Sequence, residues 1–335
     1  MTAIEDRSQL VSLDARCGTD ISEAQTADDV MEAAGFDFQM ERVPVHTPEG
    51  TPLDSHFIIR RTDTNKTFAV MRKRYTVVPI EDMFRPFHNI VEKNGWEYET
   101  AGVIDGGKKL WVTAKKPDGF SVGDNPGDKF HSRIAALIAN DGSARNAYFG
   151  LAHRISCNNQ IRVLTKAAAA SDYYISHTKN WKDKLMDAEI AFMMAVNAFG
   201  QFEQDAEKLT TKQMTSDECR GFATLLFPDK RDEKVKKEKK DPSSKLLNRR
   251  EKVVDLFTEG VGNRGLNRMD ALNAVTEYFN HHNNVSKLDN GGMRAAERRL
   301  QSNLFGGNND IQMRKAMDML LTEKKFKKTK PVIAE

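Results

Sequence analysis

The segment from Arg133 to Val163, RIAALIANDGSARNAYFGLAHRISCNNQIRV, constrains the fold most, because it compresses a hairpin, two interior arginines and a Cys-Asn-Asn turn into one unit. Asn140-Asp141-Gly142-Ser143 lies between apolar runs, and an Asp-Gly step supplies the positive backbone angles that a tight hairpin turn needs. Beyond the turn, alternation places Ala147, Phe149, Leu151 and Ile155 on one strand face and Asn146, Tyr148 and Arg154 on the other. That second face is expected to be polar and aromatic. Cys157-Asn158-Asn159 then leads into an alanine-rich run, where either asparagine can cap a helix. The unit is a structural corner or a binding site, and its polar residues alone do not choose between them.

A chain of 335 residues accommodates one large core or two ordinary ones, and usual domain sizes favour two units with a linker. Hydrophobic residues at 39% against 30% charged place it among globular proteins, on the polar side. The net charge of +3 is unevenly spread: residues 1–41 hold ten acids against two bases, Arg7 and Arg16, so the remainder is distinctly basic. Such an acidic leader can shield a polyanion site or be a solvated tail. Cys17, Cys157 and Cys219 are odd in number and far apart, which argues against a disulfide framework and for a reducing cytoplasm. With no secretory start and no run of ~18 apolar residues, the chain reads as soluble, cytoplasmic and without membrane contact.

The expected fold class is α+β, an N-terminal antiparallel β-rich domain followed by a mainly α-helical C-terminal region. An acidic, mobile leader over 1–25 precedes an α+β core over 26–178. Thr26-Ala27-Asp28-Asp29 opens a short helix that Gly35 closes. Strands follow over 38–45, 57–61 and 68–71, then a helix over 81–94, then a hairpin around Asp105-Gly106-Gly107. From Gln160 onward the periodicity turns helical. A long helical segment over 179–228 carries a stripe of Leu185, Phe192, Val196 and Phe199, widened by Met186 and Met193, which suits a core or a subunit interface. Residues 229–250 hold ten bases, five acids and almost nothing apolar, the composition of a mobile linker or basic arm. A helical module over 251–326 and a mobile tail over 327–335 complete the chain.

Two groups of residues invite a chemical reading. In the first, Arg60, Arg61, Lys66, Arg72, Lys73 and Arg74 are interleaved with Phe57, Phe68 and Tyr75, so that bases can neutralise phosphates while aromatic faces stack on unpaired bases. The opposing reading makes Phe57 and Phe68 core and the cations ordinary edge charges. In the second group, Arg145 and Arg154 lie in the mostly apolar hairpin and need a carboxylate, carbonyl or phosphate, with Asp141 the nearest candidate carboxylate. Arg145 is therefore also a candidate phosphate contact. Cys157 could act as a nucleophile only beside a base, and no pattern positions His153 for that; an inert buried thiol is the better reading. His281-His282 with His131 or Cys219 lacks zinc spacing. Phosphate-loop, dinucleotide and nuclease patterns are absent, and Gly102 to Gly107 is not followed by a helix. No catalytic residue, metal site or cofactor is assigned, and the chain is read as a non-enzyme; a third reading, hydrolysis centred on Asp141, Arg154 and Cys157, lacks a complete set of acid, base and nucleophile.

Several segments together resemble a family of phage- and plasmid-encoded proteins known only as a domain of unknown function. They are Glu32-Ala33-Ala34-Gly35, Arg74-Tyr75 with Val77-Val78-Pro79, Ala101-Gly102, Gly106-Gly107 with Leu110-Trp111-Val112, and Asp141-Gly142-Ser143. Arg154, Cys157-Asn158, the run Leu272-Asn273-Ala274-Val275-Thr276-Glu277-Tyr278 and Phe305-Gly306 continue the series across roughly residues 26 to 320. Where that family commonly has a histidine before Asp-Gly-Ser, this chain has Asn140, which removes a catalytic or metal-binding histidine there. The lysine-rich insert also looks particular to this member. The resemblance implies a mobile-element origin and supplies no reaction.

The leading expectation is a phage recombination or replication accessory that binds single-stranded DNA and anneals strands as a homo-oligomer. Its layout is similar to that of phage annealing proteins of the Red-beta and Erf type, a fold-level analogy. The rival is a host-interaction or counter-defence protein that occupies a bacterial host protein through its C-terminal helices.

Overall fold

The computed structural model describes residues 11–123, 129–155, 157–163, 173–186, 188–229, 242–261, 263, 265–283, 295–322 and 326. In chain order the elements begin with α1 (Leu13–Cys17), β1 (Thr19–Asp20), α2 (Ala27–Ala34), β2 (Met40–His46), β3 (Pro52–Arg61), β4 (Thr67–Arg72), α3 (Ile80–Lys93), β5 (Glu97–Ile104) and β6 (Lys109–Lys115). They continue through β7 (Phe120–Ser121), β8 (Lys129–Ala139), β9 (Asn146–Arg154), β10 (Asn159–Val163), β11 (Tyr173–Ile175), α4 (Trp181–Met186), α5 (Ala188–Thr210) and α6 (Ser216–Leu226). The last are α7 (Ser244–Glu259), α8 (Arg268–Glu277), a π turn over Tyr278–His282, α9 (Ala295–Leu304) and α10 (Asn308–Leu321). This is the expected α+β architecture, with strands in the N-terminal half and helices after them.

The main sheet is antiparallel in the order β1-β5-β6-β8-β9-β10, with β7 paired to β8 and β11 to β9. Alternation sends its side chains into two different cores. Leu110, Val112, Ile134, Ala136, Ile138, Tyr148 and Ala152 face a large core shared with α3, α5 and α8. Trp111, Ala135, Leu137, Ala147, Phe149 and Leu151 face a smaller one closed by Leu13 and Cys17 of α1 and Leu300 and Leu304 of α9. The sheet is thus sandwiched between two helical layers, and every residue of β9 is buried. The polar, aromatic face expected for that strand is packed: Tyr148 donates its hydroxyl to the Met83 carbonyl of α3, and a Cβ at Gly150 would stand 3.0 Å from the Phe199 ring of α5.

A second sheet, β2-β3-β4, packs Phe57, Ile59 and Phe68 onto the large core, so those two phenylalanines take the core reading. Its other face carries the cross-strand row Val43, Ile58 and Val70, with Val70 58% exposed.

Several boundaries differ from expectation. Asn159 does not cap a helix; it begins β10, which pairs with β9 through Val163, and Asn158 makes the turn with φ of 52°. Short side-chain amides tolerate this left-handed conformation, and the reversal keeps Gln160 to Val163 hydrogen-bonded. The alanine run over 166–170 lies outside the described residues, as do the side chains of Met186, Phe192 and Met193. Residues 13–17, assigned to a mobile leader, form α1 with Asp14 fully buried. Of the basic segment over 229–250, residues 230–241 lie outside the described residues, but Ser244 to Arg250 belong to α7. Ser243 caps that helix by accepting from the Leu246 amide, and Arg250 donates to the Phe227 carbonyl at 3.0 Å. The helices after residue 251 share the large core with the β-region. The Thr26–Asp29 capping box and the left-handed Gly35 match expectation.

Candidate nucleic-acid interface

The basic cluster ends β4 and meets a chain-distant segment. Arg72, Lys73 and Arg74 are exposed, and among the described residues no carboxylate pairs with their side chains. Backbone bonds fix the bend, from Lys73 N to Ser55 O at 2.9 Å and from Tyr75 N to Arg72 O at 2.9 Å. Tyr75 stacks on His177, ring centroids 4.5 Å apart and planes 14° from parallel. Thr76 and His177 close the contact, the Thr76 amide donating to the His177 carbonyl at 3.1 Å and the imidazole Nδ1 donating back to the Thr76 carbonyl at 3.2 Å. Burial and the Asp141 carboxylate raise the Tyr75 phenol above its ordinary range, and burial lowers the His177 imidazole. Both rings are therefore neutral near pH 7 and engaged with each other. The stacking role expected for Tyr75 is taken by an internal partner.

The β8–β9 connection adjoins this pair. Gly142 adopts φ of 65°, and a Cβ there would collide with the Met71 side chain and crowd the Tyr75 ring at 3.3 Å. Asp141 accepts from the Ser143 amide at 3.0 Å and hydroxyl at 2.7 Å, and from Lys109 Nζ at 3.3 Å. Arg145 is exposed, its guanidinium 4.5 Å from the Tyr174 ring centre, so it is not an interior arginine. Lys179 and Lys182, shortly after His177, are exposed as well. Contacts of Tyr75 with His177 and with the Gly142 turn thus bring together three stretches of chain that carry the exposed Arg72, Lys73 and Arg74, Arg145, and Lys179 and Lys182. Sequence reading missed both lysines and His177, because only the pairing of β11 with β9 brings that stretch alongside.

Arg60 and Arg61 do not join the free cations. Arg60 pairs with Glu41 at 2.7 Å. Arg61 grips Asp63 with two bonds of 2.6 and 2.7 Å and lies 3.9 Å over the Phe38 ring.

A family comparison covers most of this architecture: residues 67–304 match the family described as a domain of unknown function, DUF932. The chain belongs to that family. No curated protein and no solved structure matches it. The matched span takes in the cation cluster and the whole main hairpin. Glu32 to Gly35 and Phe305-Gly306, part of the resemblance noted above, lie outside it.

Within the family span, the motif residues fall into two separate places, not one corner. Asp141-Gly142-Ser143 lies at one end of the β8–β9 hairpin and Arg154, Cys157 and Asn158 at the other. The nine residues of β9 between them extend roughly 25 Å, too far for Asp141 to reach Arg154. Arg154 instead faces the Phe130 ring, 5.7 Å from its centre. At this far end Asn273 of α8 is the hub. Its Oδ1 accepts from the Cys157 thiol at 3.2 Å and Asn159 Nδ2 at 2.7 Å, while its own Nδ2 donates to the Val261 carbonyl and to Asn263 Oδ1, both at 3.0 Å. Beside it is a cavity of about 10 Å³ lined by Arg154, Asn159, Gln160, Asn273 and Thr276, room for about one water. Asn158 Oδ1 accepts from His153 at 3.1 Å. Glu277 is buried and accepts from His282 Nε2 at 3.4 Å, and Tyr278 donates to Asn283 Oδ1 at 3.4 Å. Asn273, together with Asn280 donating to the Gln160 carbonyl at 3.1 Å, docks α8 and its π turn onto the β9–β10 hairpin, while the other bonds are local to each element.

A buried charge network on the other sheet face had no sequence signal. Asp14 accepts from Thr100 Oγ1 at 2.9 Å, Arg133 Nη1 at 3.3 Å and Gln160 Nε2, and the second arm of Arg133 donates to Glu99. Burial pushes the Glu99 carboxyl above its ordinary range, while Arg133, His153 and hydroxyl bonds hold Asp14 below it in spite of burial. Among the described residues, no three His, Cys, Asp or Glu side chains converge to hold a metal ion, and no helix is long and apolar enough to cross a membrane.

Proposed function

We propose that this chain binds single-stranded DNA through phosphate contacts at the surface around Tyr75 and His177, as a recombination or replication accessory of a phage or other mobile element. One observation carries the reading: Arg72, Lys73 and Arg74 are exposed together with no carboxylate partner among the described residues, and the two stretches that meet Tyr75 carry the exposed Arg145, Lys179 and Lys182. Cations that pair internally, such as Arg60 and Arg61, have little to gain from a phosphate; unpaired ones release counterions when they bind. Because the Tyr75 ring is occupied, affinity rests on charge and tolerates any base sequence. Strand annealing and assembly of several copies extend the same proposal.

Fluorescence anisotropy of a labelled mixed-sequence oligonucleotide across a salt series tests this. Steep weakening with salt is expected, and the triple variant R72Q/K73Q/R74Q should flatten the slope by about two units, since each single-strand phosphate contact contributes roughly 0.7. Absence of binding at low salt, or an unchanged slope in the variant, would sink the proposal.

A partner-protein reading has one observation in its favour, the open aliphatic row Val43–Ile58–Val70 on the outer face of the second sheet. It shifts the contact away from the C-terminal helices, of which α8 is buried on all sides. Such a contact would persist at salt concentrations that abolish phosphate binding.

A further inference from the structure

We infer that Arg16 of α1 and Arg299 of α9 form an oxyanion site that takes a phosphate group, on a part of the molecule separate from the cation cluster described above. Both guanidiniums are anchored on one helix end. Arg16 Nη2 donates to the Asn280 carbonyl at 3.0 Å and to His281 Nδ1 at 3.3 Å, and Arg299 Nη2 donates to the Asn283 carbonyl at 2.8 Å. Those carbonyls end a single π turn, so the two positive groups are held side by side, and α1 and α9 pack together through Leu13, Cys17, Leu300 and Leu304.

Capping carbonyls accounts for one donor of each arginine and for none of their charge. Arg299 Nε is buried and donates to nothing among the described residues. Neither guanidinium has a carboxylate partner there. Asp14, whose charge reaches Arg16, is also bonded to Arg133 and Thr100. Burial lowers Arg16, offset in part by Cys17 and Asp14, and burial together with the Arg16 charge lowers Arg299. His281 is pushed down to about 3 by burial and by the same arginines, so it accepts from Arg16 as a neutral ring and leaves the guanidiniums to hold the charge. Two adjacent guanidiniums with spare donors match a tetrahedral oxyanion, each offering paired N–H groups to its oxygens. The phosphate can be free in solution or the terminal phosphate of a polynucleotide.

Thermal unfolding of the full chain in inorganic phosphate, against chloride at equal ionic strength, is the first measurement. Phosphate should raise the midpoint more than chloride, and R16Q and R299Q, each keeping an amide donor for its carbonyl, should raise the phosphate concentration needed by about tenfold or more. No excess over chloride overturns the site, as does an excess retained in both variants. Should a variant not fold, side-chain 1H–15N spectra of the unaltered protein serve instead: phosphate should shift His281 and His282 and leave His46 and His88 in place, and the reverse pattern overturns the proposal. Comparing 5′-phosphorylated with 5′-hydroxyl oligonucleotides separates the sources. A preference lost in R16Q but kept in R72Q/K73Q/R74Q assigns the site to strand ends, and phosphate binding without that preference assigns it to the free ion. The R72Q/K73Q/R74Q arm also keeps this outcome distinct from failure of the DNA-binding proposal.

Discussion

Arg133 is 3% exposed and holds Asp14 with one arm and Glu99 with the other. Replacing it with Met would leave a buried carboxylate unpaired, a loss of roughly 3 to 5 kcal/mol in urea unfolding. The double variant D14N/R133M removes the orphaned charge and should recover part of that loss; equal destabilisation by both would mean that packing, not charge, is what Arg133 supplies. Cys157 stands in contrast. Its thiol donates to an Asn273 oxygen that also accepts from Asn159, so C157A should cost about 1 kcal/mol and leave DNA affinity unchanged. A variant that folds with full stability but loses function would make the thiol chemical. Little of this was legible in the sequence. Arg133 lies in an apolar strand like any tolerated polar residue, and Asp14 is one of ten acids in residues 1–41; their meeting depends on the fold returning α1 to the middle of the sheet.

Among the elements, the β9–β10 hairpin and the π turn each carry a buried histidine. Burial above all depresses His153, and likewise His281, to about 3, well below the 6.5 of an unfolded chain. A base held neutral in the fold contributes stability in full above pH 6.5, and loses it as the pH falls toward 3, because the unfolded chain takes up the proton first. At pH 5 each can cost up to about 2 kcal/mol, from ~1.4 kcal/mol per pKa unit. Asp14, held low, adds its loss only below about pH 4. Urea midpoints should therefore begin to fall near pH 6.5, and H153Q should show a shallower fall between pH 7 and 5; onset only below pH 4.5 would show that the histidines are solvated. Hairpins and the first capping box were readable because alternation, Asp-Gly steps and Thr-x-x-Asp are local signals. The turn at Asn158 was not, since Cys-Asn-Asn before an alanine run satisfies a helix cap equally well, and only pairing with β9 makes it a strand.

For the whole molecule, the large core runs without interruption from Ile21 to Phe326, so the β-region and the late helices have no separate interiors. Unfolding in denaturant should be a single transition, with tryptophan fluorescence from buried Trp96, Trp111 and Trp181 coinciding with far-UV circular dichroism. Two resolved transitions would restore a division near the basic segment. Composition could not reveal this union, because a lysine-rich stretch reads as a linker whether or not the helices beyond it dock back. The sandwiching of β8 and β9 between two helical layers also governs biosynthesis. Leu13 is made early, but Leu300 and Leu304, which close the same face over Phe149 and Leu151, are made nearly three hundred residues later. Until they emerge, a nascent chain carries its central hairpin half bare, so a chain stalled before residue 295 should bind chaperones or aggregate where the finished protein does not.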